Sequence, residues 1–197
     1  AEVVHAWPLY DRANQPHTQS DEPYLRNGNA NGLWSTWAPL DLAESLPLLR
    51  AYDILRPALT ENERKTLEEN LFTYHKRLLD EFSFNDSYDN LLSYRFVPLI
   101  RFGVVLQRPD FIHEMVGQWE KLLRYSYAPD GFWKEVTPGY HQQVTGRVME
   151  MTPSVLKGYS DPGGYVDPKT GERFDNLDLD RRAAAQFARM REGLSVL

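Results

Sequence analysis

The amino-acid sequence predicts an all-α chain of antiparallel helical hairpins that form part of an (α/α) toroid. From Asp41 onwards, apolar residues recur at the three- to four-residue spacing of amphipathic helices. Proline and glycine divide this pattern into segments joined mostly by short loops. The strong apolar–polar alternation of a half-buried strand does not occur. Because short loops join antiparallel neighbours, successive helical hairpins are expected, and an (α/α) toroid is built from such hairpins.

The pattern divides the 197-residue chain into two regions. Residues 1–40 are irregular, because asparagine, glycine, proline and aromatic residues alternate there. This N-terminal arm is either a surface segment or a loop that lines a cleft with aromatic rings. Residues 41–197 are predicted to form the helical domain.

The first two helices have clear start and stop signals. The first ends at Arg56-Pro57, because proline interrupts a helix. The segment Thr60-Glu-Asn-Glu63 is a capping box, which opens the second helix. That helix extends to about Phe82, and His75 lies on its apolar face. We therefore expect His75 to be a core histidine.

Four more helices follow, separated by proline and glycine breaks. In chain order they are a third helix over about 90–106, a fourth from Pro109 to the turn Pro129–Gly131, a fifth from Pro138 past Met151, and a polar last helix over 181–194. Residues 158–176 are rich in glycine, proline and aspartate, which predicts a long loop before the last helix.

Composition and charge narrow the function classes. The net charge is −6 and no basic stripe is present, so nucleic acid is not an expected partner. There is no run of about 18 apolar residues, so we expect no membrane span. Cysteine is absent and no histidine pair has metal-ligand spacing, so we expect no metal and no cofactor in this segment. The start Ala1-Glu2-Val3 fits a mature end, and we expect a periplasmic or secreted protein.

The segment from Asp130 to His141 combines groups suited to a polar site. Pro138 opens a helix that has Tyr140 and His141 in its first turn, so two side chains able to move protons are adjacent. Two aromatic rings and the carboxylate of Glu135 precede them. Such a set is suited to binding a ring-shaped polar ligand.

The order Asp130-Gly131, Glu135 and Tyr140-His141 resembles the tyrosine motif of the heparinase II/III-type polysaccharide lyases. The resemblance extends to the segment 89–103, where Asn90 stands at the head of the predicted third helix and a glycine near its far end. It implies that this chain is the (α/α) toroid portion of such an enzyme, without the β-sandwich region of complete members. The remaining C-terminal part would then be a partner of this chain.

The resemblance implies a lyase that acts on uronic-acid-containing polysaccharides, and an acidic polysaccharide is the expected ligand. It points to three catalytic residues and to five substrate-binding residues. The catalytic residues are Asn90, Tyr140 and His141, and the substrate-binding residues are Asn85, Tyr94, Arg101, Trp133 and Glu135.

Each catalytic residue has an expected task in β-elimination. An amide N–H from Asn90 aimed at the uronate carboxylate would stabilise the charge that develops when the C5 proton leaves. Tyr140 would take that proton, protonate the leaving oxygen, or do both in turn. Its unperturbed pKa is about 10, so nearby cations, with Arg147 among the candidates, would have to favour the phenolate. His141 would orient Tyr140 or bind substrate.

Several alternatives remain open from the residues alone. Asn90 could be a helix N-cap, or Asn85 in the preceding loop could take its role. At 3.6-residue spacing Asn90, Tyr94 and Arg101 fall on one helix face, which is either a cleft wall or a solvated face. A non-catalytic glycan-binding toroid is the second function class. An α/α-toroid glycoside hydrolase, with Glu135 paired with Asp86 or Asp89, is the third.

Overall fold

The computed structural model describes residues 38–82 and 88–195. All regular elements within these residues are helical, and two isolated β-bridges accompany them. The predicted all-α class is therefore confirmed for this part of the chain, while the toroidal arrangement stays a prediction. The chain divides into two compact units, residues 1–86 and residues 87–197. Of the predicted N-terminal arm, residues 1–37 lie outside the described residues.

The first unit contains the two predicted helices. In chain order its elements are α1 (Ala38–Leu55), a 3-10 turn (Arg56–Ala58), α2 (Glu61–Leu67), a π-helical stretch (Glu68–Thr73) and α3 (Tyr74–Phe82). The predicted capping box is confirmed. The N–H of Glu63 donates to Thr60 Oγ1 at 3.3 Å, and the N–H of Thr60 donates to Glu63 Oε2 at 2.8 Å. These bonds satisfy two donors that the helix start leaves without intrahelical partners.

The core of the first unit forms between α1 and the second helical segment. The ring of Tyr52 packs against Phe72 with centroids 5.5 Å apart, and its hydroxyl donates to Glu68. His75 is 2% exposed, which confirms that it is a core histidine. Burial lowers the pKa of His75 to about 3, because a charged imidazolium in the core would lack the water that stabilises it. The fold therefore holds His75 as the neutral imidazole near pH 7.

The second unit contains the remaining elements. They are a 3-10 turn (Asn90–Tyr94), α4 (Phe96–Val105), α5 (Pro109–Tyr125), α6 (Pro138–Gly146), a π-helical stretch (Arg147–Met151), α7 (Thr152–Leu156), α8 (Leu179–Arg182) and α9 (Ala184–Ser195). The predicted last helix over 181–194 is two helices, and its start is earlier because Asp178 caps it by accepting from the N–H of Arg181 at 3.0 Å.

The predicted third helix is divided into a 3-10 turn and α4. Pro98 lacks an N–H, so a continuous helix over 90–106 would lose the hydrogen bond to the carbonyl of Tyr94. With α4 beginning at Phe96, Pro98 lies in its first turn, where no such bond is required. The helix α4 then packs against α5 at Gly103, where a Cβ atom would lie 2.6 Å from Ile112 Cγ1.

The predicted loop over 158–176 is confirmed, since no helix lies between α7 and α8. Asp161, which is buried, organises it. Its carboxylate accepts from the N–H of Phe174 at 2.7 Å and from the hydroxyl of Tyr159 at 3.0 Å, and it contacts Nε2 of His113 at 2.9 Å. The His113 ring stacks on Phe174 with centroids 3.9 Å apart. The buried contact between Asp161 and His113 fixes the loop on α5.

Among the described residues, no helix has both the length and the apolar character to span a membrane.

Candidate functional site

The Asp130-Gly131 pair forms a tight turn against α9. Gly131 has φ of 83°, and a Cβ atom there would lie 2.0 Å from the carbonyl oxygen of Arg189. Only glycine combines this backbone conformation with such a close approach. The carboxylate of Asp130 accepts from the N–H of Phe132 at 3.0 Å, which closes the turn. The pair therefore positions the segment that follows it.

His141 contacts the first two residues of that segment, Phe132 and Trp133. Its side chain is fully buried, and its Nδ1 accepts from the backbone N–H of Trp133 at 3.0 Å. The Phe132 ring stacks on the imidazole with centroids 4.4 Å apart and an interplanar angle of 5°. Burial lowers the pKa of His141, so the fold favours the neutral imidazole. Because Nδ1 accepts a bond, the proton of that neutral ring lies on Nε2.

The prediction that Trp133 binds substrate is wrong for this structure. Its side chain is 0% exposed and packs edge-on against Tyr127, with ring centroids 5.3 Å apart. A ring without exposed area cannot stack on a sugar face. Trp133 therefore contributes to the core beside the site and not to its surface. His141, predicted to be catalytic, has its imidazole in the same buried cluster and does not face solvent.

Tyr140 is exposed beside this cluster. It lies in the first turn of α6 and 44% of its area is accessible. No hydrogen bond from the described residues engages its hydroxyl group. Val136, which is 76% exposed, lies four residues before it. The phenol is thus open to a ligand, as its predicted role in proton transfer requires.

Asn90 and Glu135 bring the two halves of the motif together. The backbone N–H of Asn90 donates to Glu135 Oε1 over a long 3.4 Å, and the carbonyl of Asn90 accepts from Ser93 Oγ at 2.6 Å. Asp89, rather than Asn90, caps the 3-10 turn, because its carboxylate accepts from the N–H groups of Leu91 and Leu92. The half-buried side chain of Asn90 is therefore not needed for capping.

The side chain of Tyr94 connects the 3-10 turn to α6. Its hydroxyl donates to Gln143 Oε1 at 3.4 Å. The guanidinium carbon of Arg147 lies 3.5 Å from the centroid of the Tyr94 ring, and Arg147 Nη1 donates to the carbonyl of Gln143 at 3.3 Å. One face of the Tyr94 ring is thus covered by a cation. A ligand that reaches Tyr94 would meet this charge as well.

The predicted polar stripe of Asn90, Tyr94 and Arg101 is wrong. Asn90 and Tyr94 lie in a 3-10 turn, where three residues complete a turn, and Arg101 lies in the separate helix α4. A spacing of 3.6 residues therefore does not relate them. Arg101 is exposed, and no hydrogen bond among the described residues joins it to Asn90 or Tyr140. Asn85, the alternative to Asn90, lies outside the described residues.

Val136 marks local strain in the site. Its φ is 54°, which is the left-handed region that β-branched residues avoid. The conformation is held by a turn in which the N–H of Val136 donates to the carbonyl of Trp133 at 3.0 Å. Glu135 precedes it directly, and α6 begins two residues later at Pro138. Strain of this kind is concentrated at functional sites in proteins.

Within residues 38–82 and 88–195, no group of three or more histidine or acidic side chains is arranged to hold a metal ion.

Comparison with protein-family models, with curated proteins and with solved structures gives no match to this chain. The resemblance described above therefore depends on the motif residues themselves. The sequence names Arg147 as a cation near Tyr140 but does not reveal its contact with the Tyr94 ring. Its position seven residues after Tyr140, two helical turns along, is the signal that places it near Tyr140.

Proposed function

We propose that this chain is the helical portion of a polysaccharide lyase that cleaves uronic-acid-containing polysaccharides by β-elimination. The observation that supports this most is the contact between the N–H of Asn90 and the carboxylate of Glu135. It puts the asparagine segment beside the segment that ends in the exposed Tyr140, as a shared site for one sugar unit would require. The proposal includes a periplasmic or secreted location, an acidic polysaccharide as ligand, and a C-terminal remainder as partner.

In the proposed reaction, Tyr140 accepts the C5 proton of the uronate as phenolate. The electron pair of the C5–H bond forms the C4–C5 double bond, and the C4–O bond breaks. The expelled oxygen is protonated in the same site, by Tyr140 once it carries the proton. The Asn90 amide donates to the carboxylate while charge accumulates there. His141 contributes by holding the Trp133 backbone, and so the loop that carries Glu135.

The structure favours elimination over the glycoside hydrolase alternative at one point. A hydrolase needs two carboxylates that are free to act on the sugar, one as acid and one as base or nucleophile. The carboxylate of Asp89 already accepts two backbone N–H groups of the 3-10 turn. Of the two proposed partners of Glu135, Asp86 lies outside the described residues. A non-catalytic glycan-binding toroid is the second alternative, and it would bind the polysaccharide without forming an elimination product.

The test uses the longest natural form of the protein, a panel of acidic polysaccharides, and the near-ultraviolet absorbance of the unsaturated uronate that only elimination produces. Tyr140→Phe removes one hydroxyl and should lower turnover by about 10²–10⁴-fold. Asn90→Ala should lower it by about 10²–10³-fold. Tyr125→Phe is the matched control, because Tyr125 is also exposed but lies at the end of α5. Near-normal elimination by Tyr140→Phe would reject the assignment of the base.

A further inference from the structure

Arg147 is held in an unusual position for a surface arginine. It is the first residue of the π-helical stretch Arg147–Met151, and π-helical turns are frequent at functional sites. Its guanidinium carbon lies 3.5 Å from the centroid of the Tyr94 ring, and one of its N–H groups donates to the carbonyl of Gln143. Both contacts fix the position of the charge on the side of α6 that meets the 3-10 turn.

No carboxylate lies within ion-pair distance of Arg147 in the described part of the chain. Arg108, which is also half-buried, has such a partner in Asp110, whose carboxylate lies 2.6 Å from Nη2. Burial lowers the pKa of Arg147, because its desolvated charge is only partly compensated by Tyr94. A desolvated guanidinium without an anionic partner is unfavourable by itself, and an anionic ligand would remove that penalty.

The geometry limits what such a ligand can be. A guanidinium has five N–H donors in a planar fork, which matches the two oxygens of a carboxylate. The Tyr94 ring lies against the guanidinium carbon, and the hydrogen bond to the Gln143 carbonyl uses one nitrogen, Nη1. The chain has a net charge of −6, so a polyanion would need a local cation to bind here.

We propose that Arg147, positioned by Tyr94 and the Gln143 carbonyl, binds an anionic group of the substrate, a uronate carboxylate, in the site that contains Tyr140. This inference rests on the proposed function and adds the residue that gives the site its charge specificity. Arg147 replaces Arg101 in that role. A sulfate ester presents similar oxygens, so the experiment must separate the two sources of negative charge.

The experiment measures dissociation constants by calorimetry for three tetrasaccharides. They are a non-sulfated polyuronate, its carboxyl-reduced neutral form, and a sulfated oligomer of neutral sugars. Tyr140→Phe serves as the parent protein, so that binding is recorded without turnover. In that background Arg147→Gln should weaken uronate binding by about 10–100-fold, the value of a charge-assisted hydrogen bond. Arg147→Lys should lie between, because it keeps the charge and loses the fork.

Arg191→Gln is the matched control, since Arg191 is an exposed arginine of α9 and its loss should change binding less than twofold. Binding of the carboxyl-reduced form should be the same with and without Arg147. Unchanged uronate binding in Arg147→Gln, an equal loss for the neutral form, a preference for the sulfated oligomer, or no uronate binding by the parent would each overturn the inference. Loss of uronate binding without any elimination product in the unsubstituted protein would instead retain the inference and reject the lyase.

Discussion

At the residue scale, Val136 shows what the site demands of the backbone. A left-handed conformation costs an ordinary L-residue about 1–2 kcal/mol, and β-branching makes it less favourable still. The side chain gains little in return, because 76% of it is exposed. The conformation is kept by what flanks it: the carboxylate of Glu135 contacts Asn90, and Pro138 begins α6. We therefore attribute the strain at Val136 to the backbone path that positions Glu135 and Tyr140.

We predict that Val136→Gly raises the free energy of unfolding by about 0.5–1 kcal/mol. Glycine relieves the left-handed strain, and its greater freedom in the unfolded chain offsets part of that gain. Urea denaturation measures the change. Val104→Gly is the control, because Val104 is 50% exposed within α4, where glycine is the weaker helix former, and stability should fall. A loss of stability in both variants would contradict the strain argument.

Two side chains of the motif show the limit of sequence reasoning at this scale. The pattern identifies Tyr140 and His141 as neighbours but does not reveal that one is 44% exposed and the other fully buried. That difference depends on the helix orientation, which the contacts with Phe132 and Trp133 determine. The contact between Arg147 and the Tyr94 ring is not evident from the sequence for a similar reason, because Tyr94 comes from a separate turn.

At the element scale, the turn at Gly131 and helix α9 pack backbone to backbone. A Cβ atom at Gly193 would lie 3.1 Å from the carbonyl carbon of Gly131, so glycine is used on both sides of the contact. The turn leads directly into the segment that contains Trp133 and Glu135. Its packing on α9 therefore helps to fix the position of these two residues. The loop and α9 thus form the support for the candidate site.

We predict that Gly131→Ala lowers the free energy of unfolding by about 2–4 kcal/mol. The methyl group would meet the Arg189 carbonyl at 2.0 Å, and the positive φ adds strain. Gly139→Ala is the matched control: it lies in the first turn of α6 with no atom within 4 Å of a built Cβ. That variant should be neutral or more stable, by up to about 1 kcal/mol. Thermal unfolding followed by circular dichroism distinguishes the two, and equal stability would refute the packing argument.

The sequence predicts elements well where the signal is local. The capping box at Thr60, the start of α6 at Pro138 and the start of α5 at Pro109 all depend on nearby residues, and the structure has them. The prediction of a single helix over 90–106 is wrong, because the segment is a 3-10 turn followed by α4. Pro98 is the local sign that a single helix is unfavourable.

At the scale of the whole molecule, the chain depends on buried neutral groups in both of its units. His75 in the first and His141 in the second are both buried, and burial lowers the pKa of each. In the second unit Tyr127 is desolvated as well, which raises its pKa. Neutral histidine is lost on acidification and neutral tyrosine on alkalinisation. Both units should therefore lose stability on acidification, and the second unit also on strong alkalinisation.

We predict that the free energy of unfolding falls as the pH drops below about 6.5, where an unperturbed histidine titrates. The folded-state pKa of His75 is about 3, so between these two values the unfolded chain binds one proton more than the fold. The contribution of His75 is complete above the unfolded pKa and is lost as the pH falls towards the folded one. The slope for one such group is about 1.4 kcal/mol per pH unit.

Urea denaturation followed by circular dichroism between pH 7.5 and pH 4.5 tests this prediction, with His75→Gln as the comparison. Carboxylates also titrate in this range, so only the difference between the two proteins reports on His75. The glutamine cannot be protonated, and the variant should be less stable at pH 7.5 because it disturbs a buried position. Its stability should then fall less steeply on acidification, so that the two curves converge. Parallel curves would mean that His75 is not held neutral by the fold.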